Sequence, residues 1–321
     1  MKNDRIWRFF CLILALVLIP WAGCSTTQGI YNKVMPEKNA RLKKRVLVLP
    51  LMDQAGLGEA KVGQIASQLL TLLDQKAHLL LVRPTNPMPR SSKITSPGFG
   101  IVIDPDQARR AEEMGMNVLM TVVLSPFEVH TKRTGIWPFR KFRRELEISM
   151  VVNALDVTNG TLFLTHLESR RIRLPSLDEL EDEDFEQDLE KRLETRFSNL
   201  FDPSEIDRKK FDKAWSRIVE DQASAIKRAL NEQPWSGKIL SADSETIIVN
   251  AGKDIGLTEG DVFEVYGQGE SILSVSGRSL YLMGPKVGEI KTVKVMDRHA
   301  SAVPLETGHF FPGQIIREKG E

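Results

Sequence analysis

Apolar positions change their period several times along the chain, and each change marks an element. Phe9 to Gly23 (FFCLILALVLIPWAG) is uncharged throughout. It is shorter than the roughly 20 apolar residues of a spanning helix and has the length of a signal-peptide core. From Ser25 to Lys44 large apolar residues are few and no helical stripe forms, which reads as a polar tether. Arg45 to Met52 (RVLVLPLM) is a continuous β-rich run, the pattern of a buried strand, and Pro50 marks its end. KVGQIASQLLTLLDQ then brings Val62, Ile65, Leu69, Leu70, Leu72 and Leu73 near one face, as in an amphipathic helix. His78 to Val82 predicts a second strand, followed by a loop with Pro84, Pro87, Pro89 and Pro97. Asp104 as N-cap and Pro105 at the first helical position open a second helix that stops at Gly115. Asn117 to Leu124 (NVLMTVVL) reads as a third strand.

Two longer strands follow, Arg144–Val157 and Thr161–Leu174, joined at Thr158-Asn159-Gly160; Asn-Gly is a strong hairpin signal. A long helix from about Pro203 to Asn231 places Phe211, Trp215, Ile218, Val219, Ala225 and Ile226 toward one face. After Pro234-Trp235 the texture changes to short strands and frequent turns. Gly237–Ser241, Thr246–Asn250, Asp261–Tyr266, Lys286–Met296, Ser301–Pro304 and Gln314–Arg317 predict an antiparallel barrel or sandwich. Within it, Gly260 suits a turn of positive φ and Leu257 can plug the barrel end. The expected fold class is α+β: a β-α-β-α-β-β-β-α module over 45–233, then a small antiparallel β-barrel-like domain over 234–321.

Charge changes the picture at the N-terminus. Lys2, Arg5 and Arg8 precede the apolar run, and Ala22-Gly23-Cys24 ends it. This order resembles a bacterial lipobox, and it departs from the usual pattern at Trp21, where such signals carry Leu. The resemblance implies a signal peptide over 1–23, diacylation of Cys24, a lipidated tether over 24–44, and sorting to the outer membrane on Ser25. An uncleaved anchor or a non-lipidated signal is the alternative. Cys11 and Cys24 are the sole cysteines, so neither a disulfide framework nor a Cys/His zinc site is expected. With 44 Lys+Arg against 43 Asp+Glu, the near-neutral chain argues against nucleic acid as a partner.

Two charge blocks stand out. Lys132, Arg133, Arg140, Lys141, Arg143 and Arg144 surround Trp137 and Phe139 with no intervening acid. Basic residues around aromatics suit contact with lipid headgroups, peptidoglycan or a protein, and equally suit a solvated hairpin tip. Asp178 to Glu190 (DELEDEDFEQDLE) lacks the ligand spacing of a calcium loop and reads as a solvated excursion. There is no phosphate-binding glycine loop, zinc-protease motif or nucleophile elbow. Gly267-Gln268-Gly269 falls between predicted strands and opens no helix. His78, His130, His166, His299 and His309 are scattered. No catalytic residue, cofactor or metal is expected.

The VLVLP strand, the helix and strand after it, and the hairpin ALDVTNGTLFLTHLES together resemble a family of bacterial envelope modules. It includes the N-terminal domain of TolB, the curli secretion lipoprotein CsgG and the middle domain of the flagellar protein FlgT. The segment around Gly256-Leu257-Thr258-Glu259-Gly260-Asp261-Val262 is similar to the FlgT C-terminal domain. The resemblance implies a non-enzymatic, lipid-anchored periplasmic protein that supports a flagellar-ring-like or secretion-associated envelope machine through protein contacts. Self-association is left open. The alternative is a CsgG-like oligomeric pore, for which the partial alternation of Leu146, Ile148 and Met150 supplies a candidate membrane strand.

Overall fold

A computed structural model describes residues 42–75, 79–84, 105–134, 141–174, 207–243, 245–273 and 279–319. Cys24, the prolines at 87, 89 and 97, Trp137, Phe139, Arg140 and the acidic run 178–190 lie outside them. The described elements are β1 (Lys44–Val48), β2 (Met52–Asp53), α1 (Glu59–Asp74), β3 (Leu79–Val82), α2 (Pro105–Glu113), β4 (Val118–Leu124), β5 (Glu128–Thr134), β6 (Lys141–Asp156), β7 (Leu162–Arg173), α3 (Arg208–Glu232), β8 (Ser236–Ala242), β9 (Ile247–Val249), β10 (Val262–Leu273), β11 (Ser279–Val295), β12 (Ala300–Pro304) and β13 (Ile315–Glu318). The class is α+β, with a mixed sheet and a closed six-stranded barrel in one compact unit.

The sheet runs β3-β1-β4-β6-β5, with β2 on β4 and β7 on β6. Strands β3, β1 and β4 are parallel. All residues of β1 and β4 are buried, and apart from Lys44, Arg45 and Thr121 they are apolar, as suits strands covered on both faces. Antiparallel β6 has 16 residues. That length lets one of its edges pair with β4 through Met150–Asp156 and with β5 through Lys141–Glu147. Its other edge pairs with β7 across the predicted Asn-Gly turn, where Gly160 has φ 74°.

Helices α1 and α3 cover one face. Ile65, Leu69 and Leu73 of α1 and Trp215, Ile218, Val219, Ile226 and Leu230 of α3 pack on Val46, Met120, Leu146, Ile148, Met150 and Val152. Each such side chain contributes about 1.5–3 kcal/mol by leaving water. Asp207 caps α3, accepting from the amides of Lys209 and Lys210 at 3.0 and 3.2 Å. Ala225 is half-buried and Ala223 takes the inward position instead. Gln222 is fully buried in this face and donates to the carbonyls of Met150 (2.8 Å) and His166 (3.1 Å). Helix α2 covers part of the other face, with Ala108 and Ala111 against Leu47, Leu119 and Leu155.

The barrel closes in the order β10-β11-β12-β9-β8-β13, a barrel rather than a sandwich. Trp235 and Phe263 fill it with ring centroids 5.5 Å apart, beside buried Ile255 and Leu257. Gly260 has φ 94°, as expected at its turn. Gly267-Gln268-Gly269 lies inside β10, because that strand runs on to Leu273 instead of ending at Tyr266. The expected tether also ends earlier than Lys44. Leu42 is buried in the barrel core, the Lys43 amide donates to Ile255 at 2.8 Å, and Lys44 opens β1.

Sheet and barrel meet through polar side chains. Arg45 is 2% exposed and holds both carboxylate oxygens of Asp254 at 2.7 Å, while its Nη1 donates to the Asn250 carbonyl at 2.7 Å. Asn117 accepts from the Arg45 amide (2.8 Å) and donates to the Ser236 carbonyl (2.6 Å). The Lys44 ammonium is buried against the last carbonyls of α3, at Leu230 and Gln233. Burial pulls its pKa down to about 8, against the raising influence of Asp156 and Glu318.

Candidate interaction surface

The basic block of the sequence is not a loop throughout. Lys132 and Arg133 belong to β5, and Lys141, Arg143 and Arg144 to β6; Lys132 pairs with Arg143, Arg133 with Phe142 and Thr131 with Arg144. Strand β5 escaped the sequence pattern because its inward apolar residue is Val129 alone, set among Glu128, His130 and Lys132. Side chains alternate across a strand, so the even residues of β6 from Leu146 to Ala154 enter the core and its odd residues face away. Leu146, Ile148 and Met150, the candidate lipid-facing alternation, are fully buried beneath the protein's own helices.

At the β5–β6–β7 end, the face opposite α1 and α3 is a lattice of charge. One row runs Glu128, Glu147, Arg171 across β5, β6 and β7; the next runs His130, Glu145, Arg173; the third pairs Lys132 with Arg143. Glu147 accepts from Arg171 Nε at 2.8 Å, and His130 Nε2 lies 2.9 Å from the same carboxylate. Burial by itself raises the pKa of Glu147. Hydrogen bonds from Arg171 and Ser169, with the charges of Arg171 and His130, outweigh it and hold that carboxyl below its usual range. Arg143 Nε sits 2.7 Å from Glu145. In the third row two cations stand directly opposite each other, with Glu145 as the counter-charge of Arg143 within the fold. Lys132 is exposed and Arg143 half-exposed, so this end of the face can receive a negatively charged group.

Arg144, part of the same basic block in the sequence, is 7% exposed, on the opposite side of β6 from Arg143. Arg171 and Arg173 do belong to the face and were missed by the sequence reading. The alternation of β7, with Arg171 and Arg173 flanking buried Ile172, was the available signal. His166 is placed elsewhere, its Nδ1 3.0 Å from Gln222 Oε1 on the helix side. No cluster of metal-ligating side chains occurs among the described residues.

No protein-family model and no curated protein matches the chain. Solved structures similar to parts of it include three bacterial proteins. A lipoprotein of Neisseria meningitidis is 13% identical, with TM-score 0.27, over 47% of this chain and 94% of its own. The PelC dodecamer of Paraburkholderia phytofirmans is 12% identical, with TM-score 0.24, over 40% and 71%. TolB of Acinetobacter baumannii is 11% identical, with TM-score 0.27, over 86% of this chain and 60% of its own.

Proposed function

We propose that the protein is a non-enzymatic lipoprotein of the bacterial outer membrane, held on its periplasmic face by acyl chains on Cys24. It supports an envelope machine, flagellar-ring-like or secretion-associated, through protein contacts. The observation that carries the reading is the N-terminal order: Lys2, Arg5 and Arg8, an uncharged run to Gly23, then Cys24, Ser25 and a polar tether. Several acyl chains on one cysteine give the stable anchoring that one chain does not. The tether leads into a fold whose sheet end presents Lys132 and Arg143 outward for contact with an anionic partner surface. Arg133, Trp137, Phe139, Arg140 and Lys141 belong to the same proposed contact from their place in the sequence.

The test is incorporation of labelled palmitate together with membrane fractionation. Wild type is expected to carry label and sediment with outer membranes, Cys24→Ser to lose both, and Ser25→Asp to keep the label but move to the inner membrane. Label-free wild type with an intact residue 1–23 segment would sink the lipoprotein reading. For the contact surface, crosslinking in cells should recover envelope proteins with wild type and lose them with Lys132→Glu/Arg143→Glu. Recovery unchanged by that pair would remove the basic end from the proposal.

A further inference from the structure

Strand β7 is the outermost strand at its end of the sheet. It pairs with β6 alone, and its outer edge has no backbone partner among the described residues. It has 12 residues, of which Ile172 alone is buried, whereas every residue of β4 is buried. Free edges of such length are templates for strand addition, and proteins blunt them with prolines, bulges or unpaired charge. Here the register with β6 is unbroken from Leu164 to Arg173 and contains no proline. Two of its charges are already held within the fold: Arg170 by Glu168 and Asp221, and Arg171 by Glu147. Midway along the edge stands Leu167, 60% exposed, the most exposed of the large apolar side chains among the described residues.

We propose that β7 is the interface with a second copy of this chain, the two edges pairing antiparallel about a two-fold axis at Leu167. The exposed Leu167 sets that register. With the axis at Leu167, each Leu167 meets its own copy, Thr165 faces Ser169 of the partner subunit, His166 faces Glu168 of the partner subunit, and Leu164 faces Arg170 of the partner subunit. No like charges oppose each other. An axis moved to Arg170 or Arg171 would set arginine against arginine, which is destabilising. A two-fold interface must be self-complementary; axes at Thr165 or Ser169 also keep like charges apart, and the axis at Leu167 is the one that sets the two most exposed apolar side chains of the edge against each other. The two sheets then join into one, with α3 of each copy on the same side of its own strand. This inference does not depend on lipidation at Cys24.

The experiment uses the full-length protein in mild detergent, with single cysteine substitutions and mild oxidation. Side chains directly opposite across a strand pair have Cβ atoms about 4.5–5.5 Å apart. Leu167→Cys is therefore expected to form a disulfide-linked dimer with itself. Ser169→Cys is expected not to, since its two copies stand four residues apart along the strands, about 13 Å. The unsubstituted protein controls for Cys11 and Cys24. Sedimentation equilibrium should show a dimer for wild type and a shift toward monomer for Leu167→Glu, with the circular-dichroism spectrum of a folded chain retained. A wild-type monomer at every concentration overturns the proposal, and so does a dimer that Leu167→Glu leaves intact. Equal crosslinking of Leu167→Cys and Ser169→Cys overturns it as well.

Discussion

Lys44 gives the fold a stability that rises into alkaline pH. Lys44 is 4% exposed, its ammonium set against the carbonyls of Leu230 and Gln233, and its pKa falls from 10.5 to about 8. An amine whose folded pKa lies below its unfolded one binds fewer protons folded than unfolded between those values. Stability then rises with pH across that window, from about 8 to 10.5. A tenfold difference in proton affinity between the folded and unfolded chain corresponds to about 1.4 kcal/mol, so this group alone should add about 2–3 kcal/mol between pH 7 and pH 10. Other groups titrate in the same range, so the useful quantity is the difference from Lys44→Met, which keeps the chain length and removes the proton. Paired urea unfolding curves at pH 7, 8, 9 and 10 give that difference directly. Wild type should gain on the variant by about 2–3 kcal/mol as the pH rises. A difference that stays flat, or that shrinks with pH, would refute the assignment of a desolvated ammonium at the α3 terminus.

Gln222→Ala should cost about 2–4 kcal/mol in urea unfolding, because it strands the carbonyls of Met150 and His166 beneath α3 and leaves a void; a neutral variant would refute the clamp. Asp207→Ala should lower the melting temperature at neutral pH. Amide and side-chain hydrogen bonds from Lys210 hold the Asp207 carboxyl below its usual range. The benefit over the alanine variant is therefore present above the ordinary aspartate pKa and should fade as pH falls through the lowered one, which melting curves down to acid pH can follow. Gly284→Ala should destabilise by about 1–3 kcal/mol in the same denaturation assay, since a Cβ there would meet the Gly267 carbonyl oxygen at 2.8 Å.

What the sequence determined by itself were the elements whose pattern is local. Strands β1 and β4 are buried on both faces, so Val46–Val48 and most of β4 form dense apolar runs that are legible. Helices α1 and α3 carry their buried residues at helical spacing, and the Asn-Gly turn between β6 and β7 needs no distant partner. The six barrel strands were legible in position for the same reason, but β10 and β11 run to 12 and 17 residues, beyond their local pattern. The tertiary structure decided what depends on a neighbour. Strand β5 exists because β6 offers it an edge, not because its residues alternate. The distal part of β10 is a strand because β11 pairs with it through Ser279, Leu280 and Tyr281. Arg144 and Arg143 are adjacent in sequence and equal in charge, yet the pleat buries one and presents the other. Arg45 and Asp254, more than 200 residues apart, meet only because β1 begins against the barrel. Contacts of that kind carry no periodic signature. The charged face, with Arg171 and Arg173 among its members, therefore became visible only when β5, β6 and β7 were laid side by side.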